Sequence, residues 1–196
     1  MIVSKEIIGL FSVGICFVQY VPLIYLTIKG KKKPHAIARI IWALTFIVAY
    51  AAQYYDSGEA GAWSSGVTGV LCILVAIIAS RHSKTYITRS DWIAFICVLM
   101  AIPAWVLTHN PLYAALWVTL IDLIGYYPLF RKAWHKPHEE MIYVSSLGCL
   151  KQFLSMWARG NYSLTTMAYP IAVFGADFAF IFFLMWRRRV ERLTAT

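Results

Sequence analysis

The sequence predicts an all-α polytopic membrane protein, with seven transmembrane helices as two parallel three-helix repeats joined by a linker helix. Three observations carry this expectation. Hydrophobic residues make up 60% of the 196 positions and charged residues only 14%, whereas a soluble domain carries about 25% charged residues; mean hydropathy is +0.64. Basic residues gather in alternate connections between apolar runs. Several residues also recur at a constant offset in the two halves, among them Pro22 with Pro128 and Tyr20 with Tyr126.

The length is that of one domain, residues 1–196. Its apolar runs fill seven spans of roughly 20 residues, expected at 7–28, 37–54, 62–80, 91–108, 112–130, 141–158 and 167–186. Repeat one then occupies about 7–80, the linker helix about 91–108 and repeat two about 112–186. The first apolar run has neither a basic flank nor a cleavage site before Gln19, so it is expected to remain as a helix.

The formal charge of +9 is informative through its distribution. Lys29, Lys31, Lys32, Lys33 and Arg39 follow the first span, and Arg81, Lys84 and Arg89 the third. Arg131, Lys132 and Lys136 follow the fifth, and Arg187, Arg188, Arg189 and Arg192 the seventh. The alternate connections hold Asp56 and Glu59, then His109-Asn110-Pro111, then a lone Arg159. This asymmetry places the N-terminus outside and the C-terminus in the cytoplasm, in a bacterial inner membrane or an organelle membrane. The lysine run reads as topology and contact with anionic lipid, and nucleic acid is not expected as a partner. Cys16, Cys72, Cys97 and Cys149 fall within spans without CxxC or Cys/His spacing, as free apolar thiols do.

In chain order, the first span is apolar until Gln19 and Pro22. A single Gln in a helix bundle commonly supplies one interhelical hydrogen bond of about 0.6–2 kcal/mol. The second holds Trp42, Tyr50 and Gln53, with Tyr54 and Tyr55 as boundary anchors. Gly66 and Gly69 suit the third span to close packing. Asp91 and Trp92 open the fourth, Pro103 is expected to kink it, and it reads as a structural linker. Trp42, Trp63, Trp105, Trp117 and Trp157 fit a membrane-boundary belt better than a stacking site.

Ionisable residues enter with the last three spans. Asp122, Lys151 and Asp177 each lie about 9–11 residues from their helix ends, which at 1.5 Å per residue is near the bilayer midplane. Lipid tolerates such groups poorly, so they must face one another or a wet cavity. On the fifth span Asp122, Gly125, Tyr126 and Leu129 share one face. A clamping salt bridge is the plainer alternative, but one lysine cannot neutralise two aspartates. The remaining acid must be protonated, hold a cation or await a substrate group. Asp177, on the helix after Lys151, is the expected partner of the lysine, and Asp122 the expected proton or cation site.

At the same constant offset Leu23 meets Leu129, Gly69 meets Gly175 and Arg81 meets Arg187; Pro34-His35 and Pro137-His138 align after a three-residue gap. The simplest parse is three helices, a linker that restores direction, and three more about an axis along the membrane normal. With a proline turn and basic loop closing the first helix of each unit, the chain resembles the PQ-loop/SWEET-like superfamily of transporters over nearly its whole length. It departs from that family in lacking the Pro-Gln dipeptide, since Leu23 and Leu129 follow the prolines; the departure leaves the substrate open.

The resemblance implies transport of a small solute by alternating access, with Pro22 and Pro128 as hinges and the solute between the two units. Sugars, amino acids and vitamin precursors are carried by relatives, some of them coupled to protons. Asp122 aligns with Cys16 and Asp177 with Leu71, so the acids belong to one half only, and midplane carboxylates suit protons or a cationic group. Asp122, Lys151, Asp177, Gln19 and Tyr126 form the candidate substrate- or proton-binding set. The expected partners are a small-molecule solute and membrane lipid.

Other chemistry has weaker signals. Pro137 interrupts the ligand-type run His135–Glu140, so no metal is expected there, and no cofactor motif appears. An intramembrane enzyme would need Asp122 and Asp177 in contact over a shared proton; a non-transporting sensor or scaffold would sit uneasily with such short loops. The charge pattern makes a direct prediction. Reporter fusions at Thr196 should read as cytoplasmic and fusions before Ile7 as external; a C-terminus on the far side would overturn both the helix count and the repeat.

Overall fold

Apolar side chains cover the outside of this molecule and polar ones fill much of its inside. Leu10, Phe11, Val18, Ile124, Phe178 and Phe182 are exposed, while Thr45, Thr68, Asp122, Lys151, Gln152 and Asp177 are buried. Water would drive the opposite distribution. The computed structural model describes residues 4–32, 34, 36–57, 59–82, 89–135, 137–138, 140 and 142–194. Lys33, His35, Lys84, Lys136 and Glu139, which the sequence reading assigned to connecting loops, lie outside the described residues.

The described residues are almost entirely helical: α1 (Lys5–Ile28), α2 (Ala36–Ser57), α3 (Trp63–His82), α4 (Arg89–Leu99), α5 (Ala101–Thr108), α6 (Pro111–His135), α7 (Ile142–Trp157) and α8 (Leu164–Thr194), with one 3-10 turn at Ala60–Ala62. Ser4 caps α1 by accepting from the Ile7 amide at 3.4 Å. At its other end Gly30, at φ +66°, turns the chain so that the Lys31 and Lys32 amides return to the Leu26 carbonyl. α8 opens on a reciprocal cap. The Thr166 amide donates to Ser163 Oγ at 3.2 Å, and the Ser163 amide donates to Thr166 Oγ1 at 3.1 Å.

Four segments are long and apolar enough to cross a membrane: Lys5–Ile28, Ala36–Asp56, Ala60–Arg81 and Leu164–Leu193. The other three expected spans fall short of that measure for identifiable reasons. The stretch expected at 91–108 is broken, because Pro103 lacks an amide hydrogen and its ring crowds the carbonyl four residues back. That residue is Leu99, where α4 ends. The apolar part of α6 stops at Tyr127, and α7 has only 16 residues.

Two helices run well past their expected ends. α6 reaches His135 and α8 reaches Thr194, so Arg131, Lys132 and the arginines from Arg187 to Arg192 stand on helices and not in loops. Contacts between the two tails explain the extension of α8. Arg187 donates to the Trp134 carbonyl through Nε at 3.2 Å and Nη2 at 2.9 Å, and it lies over the Trp134 ring. Arg188 donates to the carbonyls of Pro137 and Glu140. These are carbonyls at and beyond the end of α6, where the helix ladder offers no amide.

Packing follows a simple order. α3 lies against both α1 and α2, and α8 lies against both α6 and α7. The two triplets meet where α1 packs on α7 and α2 packs on α6, while α4 and α5 lie against α6. Gly69 permits a close approach of α2 and α3: a Cβ there would stand 2.8 Å from Ile47 Cγ1 and 3.2 Å from the Ala43 carbonyl oxygen. The sequence expectation that the third span is built for close packing is realised at this residue.

Candidate functional site

The deepest polar cluster lies where the two triplets meet. Lys151 and Asp177 are both within electrostatic reach of Asp122, and all three are buried. Each carboxylate has hydroxyl groups nearby. Tyr169, one turn into α8, donates to Asp122 Oδ2 at 3.4 Å. Tyr126 of α6 and Ser145 of α7 stand beside Asp177. Tyr126 therefore stands in the cluster, within electrostatic reach of Asp122 and Asp177.

Asp177 fits because Gly148 lies opposite. A Cβ at that position would fall on the Asp177 carboxylate, so glycine there is what lets α8 bring an acid against α7. This placement also corrects the expected Lys151–Asp177 pairing. The Asp177 carboxylate is lodged at Gly148, and Lys151 stays within its electrostatic reach without forming an ion pair with it. Lys151 instead reaches across to the first triplet, where its ammonium donates to Thr68 Oγ1 at 3.4 Å and lies 5.1 Å from the centre of the Phe46 ring. Among the described residues, the ion pairs present are near the end of α8, His138 with Glu191 and Arg187 with Glu191, and Lys151 joins none.

Around the lysine the contacts continue into α1 and α3. Thr68 donates to the Ser64 carbonyl at 2.6 Å and is 3.3 Å from Cys16 Sγ. Ser12 donates to the Lys151 carbonyl at 3.0 Å. Gln19 stands apart from this group. It ties α1 to α7 by donating from Nε2 to the Val144 carbonyl at 2.9 Å, and its Oε1 is buried without a partner. Its observed role is the interhelical bond. Of the two prolines, Pro22 lies inside α1, which continues six residues past it, and α6 likewise runs through position 128.

A second polar centre was not expected from the sequence. Arg159, just beyond the end of α7, is buried and donates to Gln53 Oε1 at 2.7 Å and to Ser155 Oγ at 3.2 Å. Burial pulls its guanidinium down to about 10, which leaves it cationic at neutral pH. The signal was present in α7. Ser145, Gly148, Lys151, Gln152 and Ser155 are its buried residues, and their spacing marks one continuous polar stripe on an otherwise apolar helix.

All four cysteines are free. Among the described residues no three His, Cys, Asp or Glu side chains converge as metal ligands do. Comparison with protein-family models, with curated proteins and with solved structures returns no match for this chain.

The lodging of Asp177 at Gly148 can be tested by adding one methyl. Gly148→Ala should lower the thermal stability of the purified protein by about 1–3 kcal/mol through overpacking, despite the better helix propensity of alanine. Gly125→Ala is the control, since a Cβ there makes only an ordinary contact of 3.6 Å with Trp42 Nε1. Equal melting curves for the two variants would remove Gly148 from the site.

Proposed function

We propose that this chain is an integral membrane transporter of a small polar solute, working by alternating access and coupled to protons through Asp122 and Asp177. The observation that carries this reading is the position of the buried charges. Asp122, Lys151 and Asp177 come from α6, α7 and α8, and the lysine crosses the seam to Thr68 and Phe46 of the first triplet. Charged groups held inside an apolar-faced bundle mark ion and substrate pathways. A seam between two helical units is where a solute can be exposed to one side and then the other.

The reading takes seven spans, with the broken α4–α5 pair as the linker between two parallel three-helix units. Exchanging the two triplets leaves the packing order unchanged: α1 on α7 becomes α6 on α2, and both pairs are in contact. A pseudo-two-fold axis along the membrane normal accounts for that symmetry and for the recurrence of Pro22 at Pro128. The prolines then act as soft points within continuous helices, each removing one rung of the backbone ladder. The N-terminus lies outside and the basic ends of α6 and α8 lie in the cytoplasm. The aspartate-dyad enzyme has less support, because Asp122 accepts from Tyr169 and Asp177 is lodged at Gly148, where a dyad needs the two carboxylates to share one proton.

Proteoliposomes loaded with the purified protein should take up at least one member of a labelled panel of sugars, amino acids and organic acids with saturation. Asp122→Asn should bring pH-dependent, concentrative uptake to roughly background while sparing passive exchange, because the amide cannot carry a proton through the cycle. Unchanged pH dependence in that variant makes Asp122 structural. Cleavage of a lipid or peptide without any flux would move the protein to the enzymes.

A further inference from the structure

Among the described residues, one buried cation at the end away from the basic connections forms no ion pair. Arg159 is 0% exposed. Its Nη2 is well used, donating to Gln53, to Ser155 and, at 3.5 Å, to the Gly61 carbonyl. Its Nε and Nη1 are buried and have no hydrogen-bond partner among the described residues. The acids nearby form no ion pair with it: Asp56 accepts from the Ser163 hydroxyl, and the Glu59 carboxylate lies against Gly160. An arginine cannot discharge itself as a buried lysine can, so a buried guanidinium with idle N–H groups is matched by an anion.

Lys151 lies two turns deeper on the same stripe of α7, with Ser155 between them, and it too forms no ion pair among the described residues. The contact between Gln53 and Arg159 spans 106 residues, the same offset that relates Pro22 to Pro128. It therefore joins equivalent positions of the two units across their seam. Two buried cations along one seam, neither in a direct ion pair among the described residues, favour an anionic cargo over a cationic one or a sugar. The neutral Gln53 and Ser155 around a single guanidinium match one negative charge.

Resting on the transport reading above, we propose that α7 binds the carboxylate of a small organic acid. Arg159 is the outer subsite, reached from the end of the bundle away from the basic connections, and Lys151 is the inner one. Asp122 and Asp177 then carry the coupled proton.

The test uses the full chain purified in detergent, with acetate as the probe, and with chloride and inorganic phosphate as controls at matched ionic strength. Acetate should raise the melting temperature with saturation, and Arg159→Gln should weaken its apparent affinity by roughly tenfold or more, the size of one charge-assisted hydrogen bond. No saturable acetate effect, an equal effect in Arg159→Gln, or an equal response to phosphate would overturn the carboxylate site. Should that variant fail to fold, phenylglyoxal modification of the unaltered protein decides. Peptide mapping should show Arg159 modified and acetate slowing it; an Arg159 closed to the reagent, or unprotected by acetate, overturns the proposal. A saturable acetate effect without flux in proteoliposomes keeps this site and removes the transport reading, while flux of another solute without an acetate effect does the reverse.

Discussion

Three ionisable side chains held inside a bundle whose exterior is apolar constrain everything else in this structure. Asp122, Lys151 and Asp177 cannot turn outward, because the outer faces of α1, α6 and α8 present Phe11, Val18, Ile124 and Phe178. Their polar atoms must be satisfied from within, and the neighbouring helices supply the groups. Tyr169 meets Asp122 and Thr68 meets Lys151, while Tyr126 and Ser145 stand beside Asp177. Each contact fixes the rotation of one helix against another. The cluster thus specifies how α8 sits on α6 and α7, and how α7 faces α3.

Glycine makes that specification possible at two places. At Gly148 the missing side chain is where an acid lodges, and at Gly69 it lets α3 press onto the backbone of α2. The first placement is polar and the second apolar, yet the physical reason is the same close approach. A side chain at position 148 would displace the Asp177 carboxylate from the place it occupies against α7. Keeping lysine and aspartate apart leaves both able to respond to a third charge, which a closed ion pair cannot do at low cost.

Much of the helical layout was legible in the sequence. Apolar runs located the helices, and the isolated charges located the buried polar cluster, because both signals are local and strong. The ends of α6 and α8 were missed. Hydropathy stops at Tyr127 and near Trp186, whereas the helices continue through basic turns held by Arg187 and Arg188 on distant carbonyls. Pro103 was read as a kink, and the break at Leu99 follows from the carbonyl its ring displaces. Partner choice was the hardest part. Nothing along the chain says that Lys151 reaches Thr68, since that contact depends on helix rotation; adjacency in sequence pointed to Asp177 instead. Arg159 was passed over as a loop residue, though a lone charge beside the polar stripe of α7 was the available hint.

The central claim is that Asp122, Lys151 and Asp177 act as one electrostatic unit without a direct ion pair. A double-mutant cycle measures this most directly, using the unfolding free energies of Lys151→Met, Asp122→Asn and the combined variant in the same detergent. Lys151→Met should be the most destabilising single change, because it strands buried carboxylates. Adding Asp122→Asn should recover part of that loss, with a coupling of about 0.5–3 kcal/mol. Strictly additive effects would contradict the claim and reduce the three residues to independent fixtures of the bundle.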